Sequence, residues 1–169
     1  MTLALYDVSV NALIRGLTTL GGLLDKAGKH AAAKKFDPQV LVQARLFPDM
    51  HPLVRQVQIA CDTAKGAAAR LASLEVPKHE DTEMTLDELK QRVAKTVEFL
   101  KSVRPDQVNG PVDRGIELTF PNGAMKFTAT SYVVDFVLPN FYFHESMVYA
   151  LLRSNGVEVG KSDFLGTLP

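Results

Sequence analysis

At 169 residues the chain fits a single domain and is long enough to bury a sizeable core. Hydrophobic residues make up 46% and charged residues 22%, the balance of an ordinary globular protein rather than a disordered one. Nineteen basic residues against nineteen acidic ones leave no net charge, which argues against nucleic acid as a partner, because such binders concentrate excess positive charge.

Cys61 is the sole cysteine, so no intrachain disulfide can form, which fits a reducing compartment. The opening run MTLALYDVSVNALIRG places Asp7 and Arg15 among its apolar residues and carries no basic leader. It reads as neither a secretory signal nor a membrane span, and no window approaches the ~20 apolar residues a spanning helix needs. The expected location is the cytoplasm, with no membrane partner.

The first segment carries apolar residues at Tyr6, Val10, Leu13, Leu17, Leu20, Leu24 and Ala27. Spacings of three and four mark one face of a helix over roughly 3–30. Gly16, Gly21 and Gly22 weaken it but let another helix approach closely. Lys26, Lys29, Lys34 and Lys35 gather near its end, where cations suit the helix dipole; a solvated helix end explains them more simply than an anion site.

Asp37-Pro38 breaks the pattern, and QVLVQARLFPDMH reads as a connector. A second helix, over about 52–74, starts near Asp49 to Pro52 and buries Leu53, Val57, Ala60, Ala64, Ala67, Leu71 and Leu74. Its small middle residues imply tight packing against a bulky partner. Beyond the polar linker VPKHEDTEM, Thr85 and Glu88 have the spacing of a capping box. They open a third helix over 86–103 with Leu86, Leu89, Val93, Val97, Leu100 and Val103 inward, and Pro105 stops it.

The stretch GIELTFPNGAMKFT then alternates around Pro121-Asn122-Gly123, the pattern of a β-hairpin. A last helix follows over about 130–155, with a kink expected at Pro139 and Gly156 as its C-terminal stop. The tail VEVGKSDFLGTLP reads as irregular chain packed back on the helices. These elements add up to one mainly α domain over 1–169, a four-helix bundle with a hairpin inserted before its last helix.

Chemistry is most legible in that last helix, whose inward seam reads Val133, Val137, Asn140, His144, Met147 and Leu151. Asn140 and His144 are one turn apart on an otherwise apolar face. An unbonded polar group there costs about 1–3 kcal/mol, so the pair is either satisfied by tertiary hydrogen bonds or serves a site. Inward donors at i and i+4 are also how bundles hold metals. Hydrogen bonding without any ligand is the simpler reading of the spacing alone. His51, within PDMHP, has the options of capping, lying exposed or pointing toward His144. His30 and His79 look like surface residues, and Cys61 like a small core residue. GVEVGKS resembles a phosphate-binding loop, but its glycine spacing is one residue short and it follows a helix rather than a strand.

The runs LPNFYFHESMVYALLRSNGVEVGKSDFLG and ARLFPDMHPLVRQV, with the capped third helix, resemble a bacterial branch of the DinB/YfiT-like superfamily of metalloenzymes. That branch is catalogued as a domain of unknown function. The resemblance spans nearly the whole chain and implies a four-helix bundle, commonly a homodimer. It also implies a divalent metal, nickel or zinc, on three histidines, and in some members thiol-dependent transferase or isomerase activity. On that pattern His51 and His144 match two of the metal-binding histidines, while Asn140 stands where the third belongs. A neutral amide oxygen is a weaker transition-metal ligand than imidazole.

Two readings therefore stay open. One is a divalent-metal-dependent enzyme of the thiol transferase type with a degenerate site of His51, Asn140 and His144. The other is a non-catalytic module that binds a small molecule or pairs with a second copy, its metal pocket vestigial. Tyr142 and Tyr149 are phenols near the same helix with no assigned place.

Overall fold

The computed structural model describes residues 3–120 and 123–167. Four helices carry the fold, and all four lie where the three-four spacing puts them.

Helix α1 spans Ala12–Lys34 and continues a π-helical stretch, Asp7–Asn11. Val10, Leu13, Leu17, Leu20, Leu24 and Ala27 are buried on one stripe, as their spacing requires, while Tyr6 is half-buried. The helix ends at Lys35, which adopts the left-handed conformation (φ 58°) that more often selects glycine. The expected connector contains a short helix of its own, α2 (Gln39–Val42). Asp37 starts it by accepting a hydrogen bond from the Gln39 N–H at 2.9 Å, and Leu41 and Val42 pin it to the core.

Helix α3 runs over Leu53–Leu71 behind Pro52. Its Ala60, Ala64 and Ala67 are fully buried, so the small residues do serve close packing, whereas Leu74 lies past the helix end and is exposed. Helix α4, Leu86–Ser102, has the capping box read from its sequence. The Glu88 N–H donates to Thr85 Oγ1 at 3.2 Å, and the Thr85 N–H donates to Glu88 Oε2 at 2.9 Å. Pro105 then opens one more turn, α5 (Pro105–Val108).

Strands β1 (Gly115–Phe120) and β2 (Gly123–Thr128) form the antiparallel hairpin, paired from Gly115–Thr128 to Phe120–Gly123. The turn residues Pro121 and Asn122 lie outside the described residues. The last helical segment comes in three parts: α6 (Ala129–Ser131), a π-helical stretch (Tyr132–Val137) and α7 (Leu138–Ser154). Pro139 has no N–H to donate one turn back, and the widened turns immediately precede it. Gly156, at φ 83°, ends α7, with its N–H donating to the Arg153 carbonyl at 3.1 Å and the Val157 N–H to the Leu152 carbonyl at 3.0 Å.

The tail is not irregular throughout. It forms α8 (Lys161–Leu165), started by the Asp163 carboxylate accepting from the Gly160 N–H at 2.9 Å. Lys26 of α1 meets the same carboxylate at 2.7 Å and fixes α8 against α1.

Helix α1 packs beside α4 and α7, and α3 packs beside the same two, so α1 and α3 face each other diagonally across the bundle. The last helical segment, the π-helical stretch with α7, thus lies between two neighbours and buries two stripes. Val133, Val137 and His144 belong to one, and Phe141, Glu145, Val148 and Leu152 to the other. Each fully buried large apolar side chain contributes on the order of 1.5–3 kcal/mol, so these stripes hold α7 firmly.

Candidate functional site on the last helix

His144 is buried, at 8% exposure, and turns toward α3. Its Nδ1 lies 2.7 Å from Gln56 Oε1, and Gln56 Nε2 donates to the His51 carbonyl at 3.2 Å. A carbonyl can only accept, so the amide of Gln56 is oriented by His51 and presents oxygen to the imidazole. The His144 proton therefore resides on Nδ1, leaving the lone pair on Nε2. Burial, with the His51 imidazole and the Arg55 guanidinium nearby, lowers the imidazole pKa to about 4. His144 is neutral at pH 7, and too weak a base to serve well as a proton acceptor there.

Asn140, one turn earlier and half-buried, donates its amide to Thr63 Oγ1 of α3 at 2.7 Å. His51 sits at the mouth of α3 with its side chain exposed and reaches His144 through its carbonyl and Gln56. Gln56 and Thr63 are the residues that sequence reasoning passed over. A glutamine or threonine within a helix gives no periodic signal unless its burial is known.

The other stripe of α7 holds a second polar group. Glu145 is 1% exposed, and neither carboxylate oxygen has a hydrogen-bond partner among the described residues. Burial raises its pKa to about 8, against which the Arg15 guanidinium acts weakly in the opposite direction. Gly16 of α1 makes room chiefly for the Phe141 ring beside this carboxyl: a Cβ there would stand 2.4 Å from a Phe141 ring carbon and 3.3 Å from Glu145 Oε2. Around it Arg15, Thr19, Tyr142, Phe164 and Leu165 close a cavity of about 150 Å³ between α1, α7 and α8.

A third cluster is structural. Arg92 of α4 is buried and meets Asp62, Asp81 and Glu83 at 2.8–2.9 Å, which ties the linker between α3 and α4 to the bundle. His79 in that linker is half-buried rather than on the surface, and its Nδ1 has no partner among the described residues. Cys61 lies in the core with its thiol pushed up to about 12 by burial, so it is no nucleophile.

No described helix is long and apolar enough to cross a membrane. The family model described as "Domain of unknown function (DUF1993)" matches residues 5–165. No curated protein matches the chain. Among solved structures, a DinB family member from Shewanella denitrificans superposes with a TM-score of 0.91 and 40% sequence identity, over 98% of this chain and 93% of that one. The bundle and its hairpin, together with these matches, establish that the chain belongs to the DUF1993 family, a DinB-like domain of unknown function.

Proposed function

We propose that this DinB-like domain is a non-catalytic small-molecule-binding module rather than a metal-dependent enzyme. The observation that carries the reading is that both polar side chains on the α3-facing side of α7 are already bonded to α3. His144 is held by Gln56 and Asn140 by Thr63. Tested against a nickel or zinc ion, this donor set is a poor fit. Asn140 offers only a neutral amide oxygen, the His51 side chain is exposed, and among the described residues no three His, Cys, Asp or Glu side chains converge. His51, Asn140 and His144 instead act as a brace between the mouth of α3 and the middle of α7.

The same reading includes a homodimer. Its support is the superfamily habit implied by the resemblance, and the bare outer backbone of α1 at Gly22 and Gly28, where an added Cβ would meet nothing within 4 Å. Light scattering at micromolar concentration tests it, and a monomer mass there removes the second copy from the proposal.

Elemental analysis of protein purified without a polyhistidine tag tests the non-catalytic reading. The expected result is substoichiometric nickel and zinc, unchanged in His144→Ala. One equivalent of metal, lost in His144→Ala or His51→Ala, restores the transferase-type enzyme in place of the binding module.

A further inference from the structure

A carboxyl group enclosed by protein normally finds donors, because water no longer supplies them. Glu145 has none among the described residues, yet it is 1% exposed. The space above Gly16 is filled by the Phe141 ring, and a Cβ there would also press on Glu145 Oε2 at 3.3 Å. Arg15 lines the same cavity and is exposed, but makes no ion pair within 4 Å with Glu145. A buried carboxyl and an exposed guanidinium thus line one cavity without closing on each other.

We propose that this cavity binds a small zwitterionic amino acid, its ammonium group on Glu145 and its carboxylate on Arg15. An ammonium supplies the donors that both Glu145 oxygens lack, and a guanidinium takes a carboxylate through paired hydrogen bonds. Tyr142 and Phe164 offer aromatic walls suited to the cationic end, and the Thr19 hydroxyl adds a polar contact. Charge balance selects the zwitterion. A simple cation would leave Arg15 facing it, and a simple anion would leave Glu145 without donors. The cavity, about 150 Å³, suits the backbone part of an amino acid. An adjoining open space of about 580 Å³, which shares Arg15 and Thr19, is where a side chain would extend. This names a ligand for the binding module proposed above and rests on that reading only for its non-catalytic role. A metal found on His144 would overturn that role and leave this cavity as it is.

The test is a titration of the ¹⁵N-labelled full chain with L-alanine, with ethylammonium and propionate as single-charge probes. Alanine should shift the amide signals of Gly16, Thr19, Glu145 and Phe164 more strongly than either probe. Glu145→Gln and Arg15→Met should each weaken alanine binding by about tenfold or more, as expected for loss of a charge-assisted contact. Glu145→Gln removes a carboxyl that has no hydrogen-bond partner among the described residues, and Arg15→Met changes an exposed side chain, so thermal melts should show both variants folded. Absence of shifts with alanine overturns the proposal. So does propionate or ethylammonium binding as tightly as alanine, or parental affinity in both variants.

Discussion

His144 and Glu145 are neighbours in sequence on α7, face α3 and α1 respectively, and have the usual order of their pKa values reversed. The imidazole falls to about 4 and the carboxyl rises to about 8. Burial is the leading cause in both, because enclosure disfavours the charged form of either group. With the cavity beside Glu145 empty, both side chains are neutral at pH 7; an ammonium seated on Glu145 would ionise the carboxyl, its proton passing to solvent.

The reversal sets a pH profile for stability. His144 has a lowered folded pKa, so its contribution is complete above its ordinary value of 6.5 and is lost as pH falls toward about 4. Glu145 has a raised one, so its contribution is complete below its ordinary value of 4.5 and is lost as pH rises through about 8. Between these ordinary values the folded protein holds one proton more at Glu145 and one fewer at His144, and the two slopes cancel. Above that window only Glu145 acts, and stability falls by about 1.4 kcal/mol per pH unit until the carboxyl ionises. Urea unfolding from pH 5 to 9, taken as variant minus parent, checks this. Glu145→Gln should abolish the fall above neutrality, and His144→Gln should make it begin near pH 4.5.

Gln56 is the hinge of the brace, since one amide serves both His51 and His144. Gln56→Ala leaves a buried Nδ1–H without an acceptor and should cost about 1–3 kcal/mol. Gln56→Glu keeps an oxygen there but adds negative charge, which should raise the His144 pKa. NMR titration of the imidazole separates the two variants. An unchanged His144 pKa in Gln56→Glu would show that the contact is not made in solution.

The four helices were legible because each repeats three-four spacing over many turns, and the Thr85–Glu88 cap is a local pattern. Helix α2 was not, because QVLV is too short to show a period. Helix α8 was hidden for the same reason, and its anchor, Lys26 on Asp163, joins residues far apart in sequence. At the site, one stripe of α7 was read and the other missed. Phe141, Glu145, Val148 and Leu152 follow the same spacing as the first stripe, so Glu145 could have been seen as a charged residue on a second apolar face. Gln56 could not, since its role depends on the meeting of α3 and α7.

Arg92 holds the linker between α3 and α4 through Asp81 and Glu83, and α3 itself through Asp62. Those carboxylates are partly solvated, which reduces the value of each pair. Replacing the buried cation still leaves three acids together. Arg92→Met should therefore lose about 2–3 kcal/mol, less than the full cost of breaking an enclosed ion pair. Amide exchange should accelerate first across residues 79–84, and uniform acceleration over the whole chain would refute a local role for the cluster.

Two glycines of α1 should respond in opposite directions to the same substitution. At Gly16 a methyl group would stand 2.4 Å from the Phe141 ring, and both the ring and the Glu145 carboxyl would have to move. Gly16→Ala should destabilise by about 1–3 kcal/mol, the usual cost of overfilling a packed interface. At Gly28 an added Cβ meets nothing within 4 Å, and the residue lies within the helix at ordinary helical φ. Gly28→Ala should stabilise by about 0.5–1 kcal/mol, through helix propensity and a less flexible unfolded chain. Thermal melts of both variants, run at one protein concentration, measure the contrast. If Gly28 instead lies against a second copy of the chain, the added methyl should stabilise the diluted monomer while weakening association. Repeating the melts over a range of concentrations separates helix propensity from subunit contact.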